Sequence, residues 1–254
     1  MTIISAKNLA MPPRLLPVSF SLSAGEILHL IGPNGSGKST AISLLSGLFS
    51  ADGDIQFLGG NIGSYDYPSL AQRRCYLSQQ DRPAFSVAVY HYLALATSAL
   101  VNVNAVQLQV AINEICDALG INDKLNRNIQ QLSGGEWQRV RLAAACLQVW
   151  PAINPDAKLL LLDEPAAALD IGQEAAMYRL VKKIARQGIA VIMANHDLNR
   201  TLTEADQVIL LNNGSCVAKG TPDEVMTAER LTDIFATNVY RTEIEGRSCL
   251  LFRD

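Results

Sequence analysis

The fold is decided by the stretch Gly32-Pro33-Asn34-Gly35-Ser36-Gly37-Lys38-Ser39-Thr40. It fits the pattern G-x-x-x-x-G-K-[ST], whose glycines let successive backbone N–H groups turn inward towards phosphate oxygens. Lys38 supplies a positive charge to the β- and γ-phosphates of a nucleotide, and the Ser39 hydroxyl is a magnesium ligand. The stretch therefore predicts a phosphate-binding loop.

The flanking residues favour this interpretation over a chance glycine turn. Residues 27–31 read as a strand buried on both faces of a sheet. A helix is expected to start near Lys38 and to end at Gly47. A helix N-terminus at this point adds its positive dipole end to the phosphate site.

Composition limits the classes of protein to consider. The 254 residues suffice for one large α/β domain with an inserted subdomain. A net charge of −3 argues against a nucleic-acid-binding face, which would show as a basic excess. The five cysteines form no CxxC pair, so neither a disulfide framework nor a zinc site is expected. The uncharged stretch 87–110 is broken by polar residues and fails as a membrane span.

Strand and helix patterns alternate on both sides of a helix-rich middle. Short strands precede the glycine loop, and alternation resumes at Lys158, which favours an α/β fold with a mostly parallel sheet. A late helix is expected to begin at Pro222, capped by Thr221. In the middle, apolar residues recur at helical spacing, namely Val106, Val110, Ile112, Ile115 and Leu119.

Two carboxylates end the apolar run of residues 159–162. Asp163 is placed to bind magnesium, through water, at the end of a buried strand. Glu164 would then act as the general base that polarises the attacking water. The alternative is an exposed Asp-Glu-Pro turn, and the upstream phosphate loop disfavours it.

A third motif lies between these two, at Gln131-Leu132-Ser133-Gly134-Gly135-Glu136-Trp137-Gln138-Arg139-Val140. By itself, Ser133 reads as the N-cap of a helix that runs to Leu147, and the two glycines permit close backbone approach. The motif resembles the LSGGQ signature of ATP-binding-cassette (ABC) proteins. The resemblance implies that Ser133, Gly134, Gly135 and Glu136 bind the γ-phosphate of an ATP held by the opposite subunit.

The remaining parts implied by this resemblance occur in order along the chain. Gln79 is similar to the Q-loop glutamine that senses magnesium and the attacking water, with Gln80 as the competing assignment. His196 matches the switch histidine, whereas His29 and His91 are expected in the core or on the surface. The implied magnesium ligands are Ser39, Gln79 and Asp163, and the implied D-loop is Ala168-Leu169-Asp170.

The resemblance covers essentially the whole chain and implies a single ABC ATPase domain over residues 1–254. Its expected parts are a P-loop NTPase (RecA-like) core at 1–84 and 158–254, with an N-terminal antiparallel β subdomain, and a helical subdomain inserted at 85–157. One departure concerns adenine, because no aromatic residue precedes Phe20. Arg14 could stack on the base, but a solvated arginine is an equal alternative. Ala166 also stands where a hydroxyl residue is common.

The family implies a head-to-tail homodimer that buries two ATP molecules, together with two copies of a membrane permease. The chain looks closest to the ATPases of bacterial vitamin B12 importers at residues 24–30, 76–80, 90–93, 132–144 and 150–157. In those importers a periplasmic cobalamin-binding protein delivers the cargo. The chain would then act as a peripheral subunit on the cytoplasmic face of the inner membrane. Ferric-siderophore and haem importers are the alternatives for cargo, and a stand-alone soluble ATPase switch is the alternative class. A groove near residues 82–92 is expected to receive a permease helix.

Overall fold

The computed structural model describes residues 1–79, 82–98, 100 and 103–253. Its strands are β1 (Thr2–Met11), β2 (Leu15–Ser23), β3 (Ile27–Ile31), β4 (Asp52–Phe57), β5 (Gly60–Asn61), β6 (Arg74–Leu77), β7 (Leu159–Asp163), β8 (Ala190–Ala194), β9 (Gln207–Asn212), β10 (Ser215–Gly220), β11 (Asn238–Ile244) and β12 (Arg247–Arg253). Its α-helices are α1 (Lys38–Leu45), α2 (Tyr67–Arg73), α3 (Val89–Ala96), α4 (Ala105–Leu119), α5 (Gly134–Gln148), α6 (Ile171–Arg186), α7 (Leu198–Glu204), α8 (Pro222–Val225) and α9 (Ala228–Phe235).

The chain folds into two compact units. The first unit contains Met1–Ser64 and Ile192–Asp254, and the second contains Tyr65–Val191. The predicted helical insertion at residues 85–157 falls inside the second unit, which also includes β6, β7, α2 and α6. The predicted subdomain boundaries themselves stay a prediction.

The first unit contains the phosphate loop and two sheets around it. Strands β1, β2, β4 and β5 form an antiparallel sheet in the order β2-β1-β4-β5, as expected for the N-terminal region. In the other sheet the order is β10-β9-β3-β8. Strand β9 runs parallel to β3, with Ile209 opposite Leu30, whereas β10 adds to β9 in the antiparallel sense. The α/β fold with a parallel sheet is confirmed.

The first unit is closed by a C-terminal hairpin that the sequence analysis did not predict. Strands β11 and β12 pair in register, and Val239 and Leu250 are buried against Leu210 and Leu231. Burial of each such aliphatic side chain stabilises the fold by about 1.5–3 kcal/mol. The connection is Glu245-Gly246, where both residues have positive φ (51° and 73°). This residue pair was the sequence feature that could have indicated the hairpin. A two-residue turn with positive φ at both positions matches the twist of the two strands that it joins.

The second unit is built on two parallel strands and a set of helices. Strand β6 runs parallel to β7, with Cys75 opposite Leu160, and residues 159–163 are all buried, as expected. The helix expected from the apolar spacing of residues 106–119 is present as α4. Its buried residues include Ala111, Ile115 and Leu119, and the helix packs against α5 and α6, whereas Val106 and Val110 are exposed. Among the helices of the described residues, none is long and apolar enough to cross a membrane.

Candidate nucleotide site

The phosphate loop is held in a curled shape by its own lysine. The Lys38 Nζ donates hydrogen bonds to the carbonyl oxygens of Gly32 (2.8 Å) and Pro33 (3.1 Å). Helix α1 begins at Lys38, directly after Gly37, whose φ of 106° only glycine adopts readily. The buried lysine therefore lies at the point where the backbone changes from loop to helix.

The space available for a side chain differs between Gly32 and Gly35. A Cβ on Gly32 would lie 2.0 Å from the carbonyl oxygen of Leu211, so this residue is fixed by close backbone packing against β9. Gly35 has a φ of 77° and open space around the position of a Cβ. The loop is thus anchored at its start and open at its centre, where a ligand could approach the backbone.

The electrostatics of this loop fit a triphosphate. Within residues 32–45, no side chain caps α1 and no acidic residue lies in its first turn, so its positive end is available to an anion. The Ser36 hydroxyl is buried and has no hydrogen-bond partner among the described residues. A phosphate oxygen would satisfy such a group, because an unpaired buried hydroxyl costs free energy.

The predicted switch histidine lies in the first unit at the carboxyl end of β8. Its neighbour Asn195 is buried; the Asn195 backbone N–H donates to Leu30, and the Asn195 side-chain amide contacts Thr201 Oγ1 at 3.1 Å. Asp197 accepts a hydrogen bond from the Arg200 N–H and caps α7. These two residues set the backbone on either side of the exposed His196. Sequence reasoning missed Asn195, which has no motif of its own.

The other histidines take the structural roles expected of them. His29 is fully buried, and its Nδ1 lies 3.1 Å from Thr201 Oγ1. Burial lowers the pKa of His29 to about 3, so the ring is neutral in the folded protein. His91 is exposed.

In the second unit, two predicted catalytic residues are in contact. The Gln79 Nε2 donates a hydrogen bond of 2.9 Å to Glu164 Oε2. Asp163 is buried at the end of β7, and Glu164 follows it with a φ of 50°, which is uncommon for a residue with a side chain. The competing residue Gln80 lies outside the described residues.

The signature segment begins α5 with a complete capping box. The Ser133 hydroxyl accepts from the Glu136 N–H, and Glu136 Oε2 accepts from the Ser133 N–H at 2.8 Å. The backbone hydrogen bond from Ser133 and the ammonium of Lys124 lower the pKa of Glu136 to about 2. The predicted N-cap at Ser133 is thus present, and Glu136 is ionised at neutral pH.

The predicted D-loop lies against this signature. A Cβ on Gly135 would come within 2.7 Å of the Ala168 carbonyl oxygen, so only glycine allows this approach. Ala168 has a φ of 67°, and Asp170 caps α6 through a capping box with Gln173. The buried Gln138 donates to the Pro165 carbonyl at 2.9 Å and links α5 to the turn after Glu164. The sequence carried no signal for this role of Gln138.

Two neighbouring cavities open in the second unit. One cavity, of about 510 Å³, is lined by Gln79, Asp163 and Glu164 together with Gly134 and Ala168. The groove, of about 540 Å³, is lined by residues that include Tyr76, Leu77, Pro83, Tyr92 and Gln148. Both are bordered by Arg82, Trp137 and Arg141.

The Arg82 side chain has a structural role inside the second unit. Its guanidinium donates to the carbonyl oxygens of Gln130 (3.0 Å) and Leu132, directly before the signature serine. Arg141 donates to the Ser78 carbonyl oxygen beside Gln79. The two arginines connect the wall of the groove to the signature and to the Gln79 segment.

The predicted magnesium ligands are one hydroxyl, one amide and one carboxylate. Among the described residues, no group of three or more His, Cys, Asp or Glu side chains could hold a metal ion. Such a sparse set suits magnesium, which keeps several waters and binds phosphate oxygens as well. The assignment of Ser39, Gln79 and Asp163 stays a prediction.

Comparison with known proteins gives consistent matches. Residues 15–167 match the family model described as ABC transporter. The chain is 74% identical over 252 residues to a vitamin B12 import ATP-binding protein, BtuD, of Photobacterium profundum, covering 99% of this chain and 100% of the relative. A BtuD protein of Vibrio cholerae is 50% identical over 250 residues, covering 98% of this chain and 100% of the relative. Among solved structures, an ATP-binding subunit of an ABC transporter has a TM-score of 0.78 at 24% identity and covers 88% of this chain and 92% of its own.

Proposed function

The chain belongs to the ABC transporter family, and on that premise we propose that it is the ATP-hydrolysing subunit of a vitamin B12 importer. One structural observation carries this proposal. Helix α1 begins directly after the glycine loop with no side-chain cap and no acidic residue in its first turn, which suits the binding of phosphate. The cargo is supported by the relatives that are named for vitamin B12 import and match over nearly the full chain.

The first unit supplies the groups that bind the triphosphate of ATP. Residues Gly32 to Thr40 direct backbone N–H groups inward, and Lys38 provides a positive charge to the terminal phosphates. The buried Ser36 hydroxyl is satisfied by a phosphate oxygen when ATP is bound. His196 contacts the γ-phosphate, and its position depends on the buried Asn195 next to it.

The second unit supplies the groups that act on the attacking water. Glu164 accepts a proton from that water as general base, and Gln79 orients the carboxylate through the hydrogen bond between their side chains. Magnesium would be held by Ser39, Gln79 and Asp163, partly through water, and would neutralise charge on the phosphates. General-base catalysis of this kind contributes about 10²–10⁴-fold to the rate.

Two copies of the chain act together. The signature residues Ser133 to Glu136 of one copy bind the γ-phosphate of ATP held by the other, so each ATP requires both copies. The D-loop, Ala168 to Asp170, contributes to the interface between the copies.

The groove of the second unit receives a short helix from a permease subunit. It combines aromatic side chains (Tyr76, Tyr92 and Trp137) with Arg82 and Arg141, a mixture enriched at protein interfaces. It adjoins the cavity that contains Gln79 and Glu164, so a helix bound in it could change the geometry around the catalytic carboxylate. The assembly has two permease subunits and a periplasmic cobalamin-binding protein, with this chain peripheral at the cytoplasmic face of the inner membrane.

The decisive test is uptake in cells that lack this subunit. Labelled vitamin B12, a ferric siderophore and haem are supplied separately, with and without the wild-type gene or its Lys38→Ala variant. We expect only vitamin B12 uptake to depend on the wild-type gene. Loss of siderophore or haem uptake instead would assign the alternative cargo. Failure to co-purify with any polytopic membrane protein would favour the stand-alone ATPase switch.

A further inference from the structure

Glu136 places a negative charge at the helix end that is proposed to bind phosphate. In the signature pattern that this segment resembles, the corresponding residue is glutamine, which is uncharged. The Glu136 carboxylate is ionised and occupies the third position of α5, in the same turn as Ser133 and Gly134. An uncompensated carboxylate there would repel the incoming phosphate, since like charges within a few ångströms disfavour each other.

The two oxygens of Glu136 have different partners. Oε2 accepts a hydrogen bond from the Ser133 N–H at 2.8 Å and so belongs to the capping box. Oε1 lies 3.2 Å from Lys124 Nζ and 4.0 Å from Arg127 Nη1. The Lys124 and Glu136 side chains are only 14% and 18% exposed. Limited access to water makes this ion pair less screened than an ordinary surface pair.

Lys124 is held in place by the chain around it. Its N–H donates to the Ile121 carbonyl at 2.9 Å, and its own carbonyl accepts from the Arg127 N–H at 2.8 Å. Arg139, on α5, donates to the carbonyl oxygens of Leu119 (2.9 Å) and Gly120 (2.8 Å) at the end of α4. The turn that carries Lys124 is therefore tied to the signature helix.

We propose that Lys124 is a positioning residue that neutralises Glu136, so that the signature can accept the γ-phosphate of ATP held by a second copy of this chain. Arg127 adds a weaker contribution through the same carboxylate oxygen. The inference rests on the proposed function of the signature. It assigns to Lys124 a role in the affinity for ATP, although the residue lies outside every motif in the chain.

A structural role for Lys124 is the competing explanation. Its ammonium also lies 2.6 Å from Asp123 Oδ2, but the Asp123 side chain is 67% exposed. An exposed pair of this kind contributes little, so the Glu136 contact is the one expected to matter. If Lys124 acts by neutralising Glu136, the loss of Lys124 should have no effect once the charge of Glu136 is removed. If Lys124 has only a structural role, its loss should have the same effect with or without that charge.

The test is a double-mutant cycle on the full-length protein. Steady-state ATP hydrolysis is measured for the wild type, Lys124→Gln, Glu136→Gln and the double variant, and the ATP concentration at half-maximal rate is compared. We expect Lys124→Gln to raise this concentration about three- to tenfold. Glu136→Gln changes a residue of the signature itself, so its own half-maximal ATP concentration is the reference for the double variant. The double variant should match Glu136→Gln, because Lys124 has no charge to neutralise once the carboxylate is gone.

A matched control is Lys183→Gln, which breaks the ion pair between Lys183 and Glu114 in the same unit. It should leave the half-maximal ATP concentration unchanged. A thermal melt of each variant reports folding. An unchanged value in Lys124→Gln would overturn the inference. So would a double variant that is raised above Glu136→Gln by as much as Lys124→Gln is raised above the wild type. Absence of ATP hydrolysis in the wild type would instead contradict the proposed function.

Discussion

The Gln79 side-chain amide donates a 2.9 Å hydrogen bond to the carboxylate of Glu164, although the two residues are 85 positions apart in the chain. Glu164 follows the buried Asp163 directly, and its backbone has a φ of 50°. A side chain at such a position is held by its surroundings rather than by local preference. The contact connects the segment after β6 to the proposed general base.

The first prediction concerns Glu164→Gln. The variant keeps the shape of the side chain and cannot accept a proton, so hydrolysis should fall about 10²-fold or more. Retention of ATP and accumulation of a closed dimer are expected, and size-exclusion chromatography with ATP would detect both. Glu174→Gln, an isosteric change on α6, is the control. A normal turnover rate in Glu164→Gln would show that another residue is the base.

The second prediction concerns Gln79→Ala. Removal of the amide leaves Glu164 without the observed hydrogen bond, so the carboxylate is less well oriented. We expect the kcat for ATP to fall about tenfold, because the proposed general base is less well oriented, with a smaller rise in KM from the loss of a proposed magnesium ligand. A rise in KM at constant kcat would contradict this role and indicate a contribution to binding.

The third prediction concerns Lys38→Ala. The ammonium is buried and hydrogen-bonded to the carbonyl oxygens of Gly32 and Pro33, so its loss removes charge from the phosphate site. The affinity for ATP, measured by equilibrium dialysis, should fall about 10²-fold, as expected for a charged contact to phosphate. Lys7→Ala, at an exposed position on β1, should bind ATP normally.

The fourth prediction concerns pH and His29. The pKa of His29 is about 3 in the folded protein, whereas an ordinary histidine has a pKa of 6.5. Between pH 3 and pH 6.5 the unfolded chain therefore binds a proton at this residue that the folded chain does not bind. Stability is therefore complete above pH 6.5 and falls as the pH decreases below it. At pH 5 this group should lower the free energy of unfolding by about 2 kcal/mol.

Urea unfolding at pH 7 and pH 5 checks this effect. His29→Gln cannot titrate and should lose about 2 kcal/mol less between the two conditions than the wild type. His91→Gln, at an exposed position, should behave like the wild type. An equal loss in wild type and His29→Gln would show that His29 does not control this pH dependence.

The fifth prediction concerns Arg82 in the groove. The charge reversal Arg82→Glu should weaken both assembly with the permease and the ATPase activity of the assembled transporter, measured by co-purification and phosphate release. The new carboxylate would face the carbonyl oxygens that Arg82 binds, those of Gln130 and Leu132. It would repel these oxygens and leave them without their hydrogen-bond donor, which should distort the wall of the groove. Arg73→Glu, outside the groove, is the control. Intact assembly and coupled activity in Arg82→Glu would exclude this contact.

The motifs of this protein were predictable because their structure depends on neighbouring residues. Strand β3 spans the predicted residues 27–31, and the capping residues Ser133 and Thr221 begin the helices expected of them. A glycine loop, an apolar strand and an N-cap each act within a few residues, so a local pattern is sufficient. The family, the α/β fold and the candidate site residues could therefore be predicted from these local patterns.

Contacts between side chains that are distant in the sequence depend on how the helices and strands pack. The hydrogen bond between Gln79 and Glu164, the ion pair between Lys124 and Glu136 and the buried face of α4 depend on packing between separate elements. Val110 has the spacing of a core residue but faces solvent, because the partner helices of α4 cover Ala111 and Ile115 instead. Periodicity shows that a helix has an apolar side, and the position of its neighbours determines which side is buried.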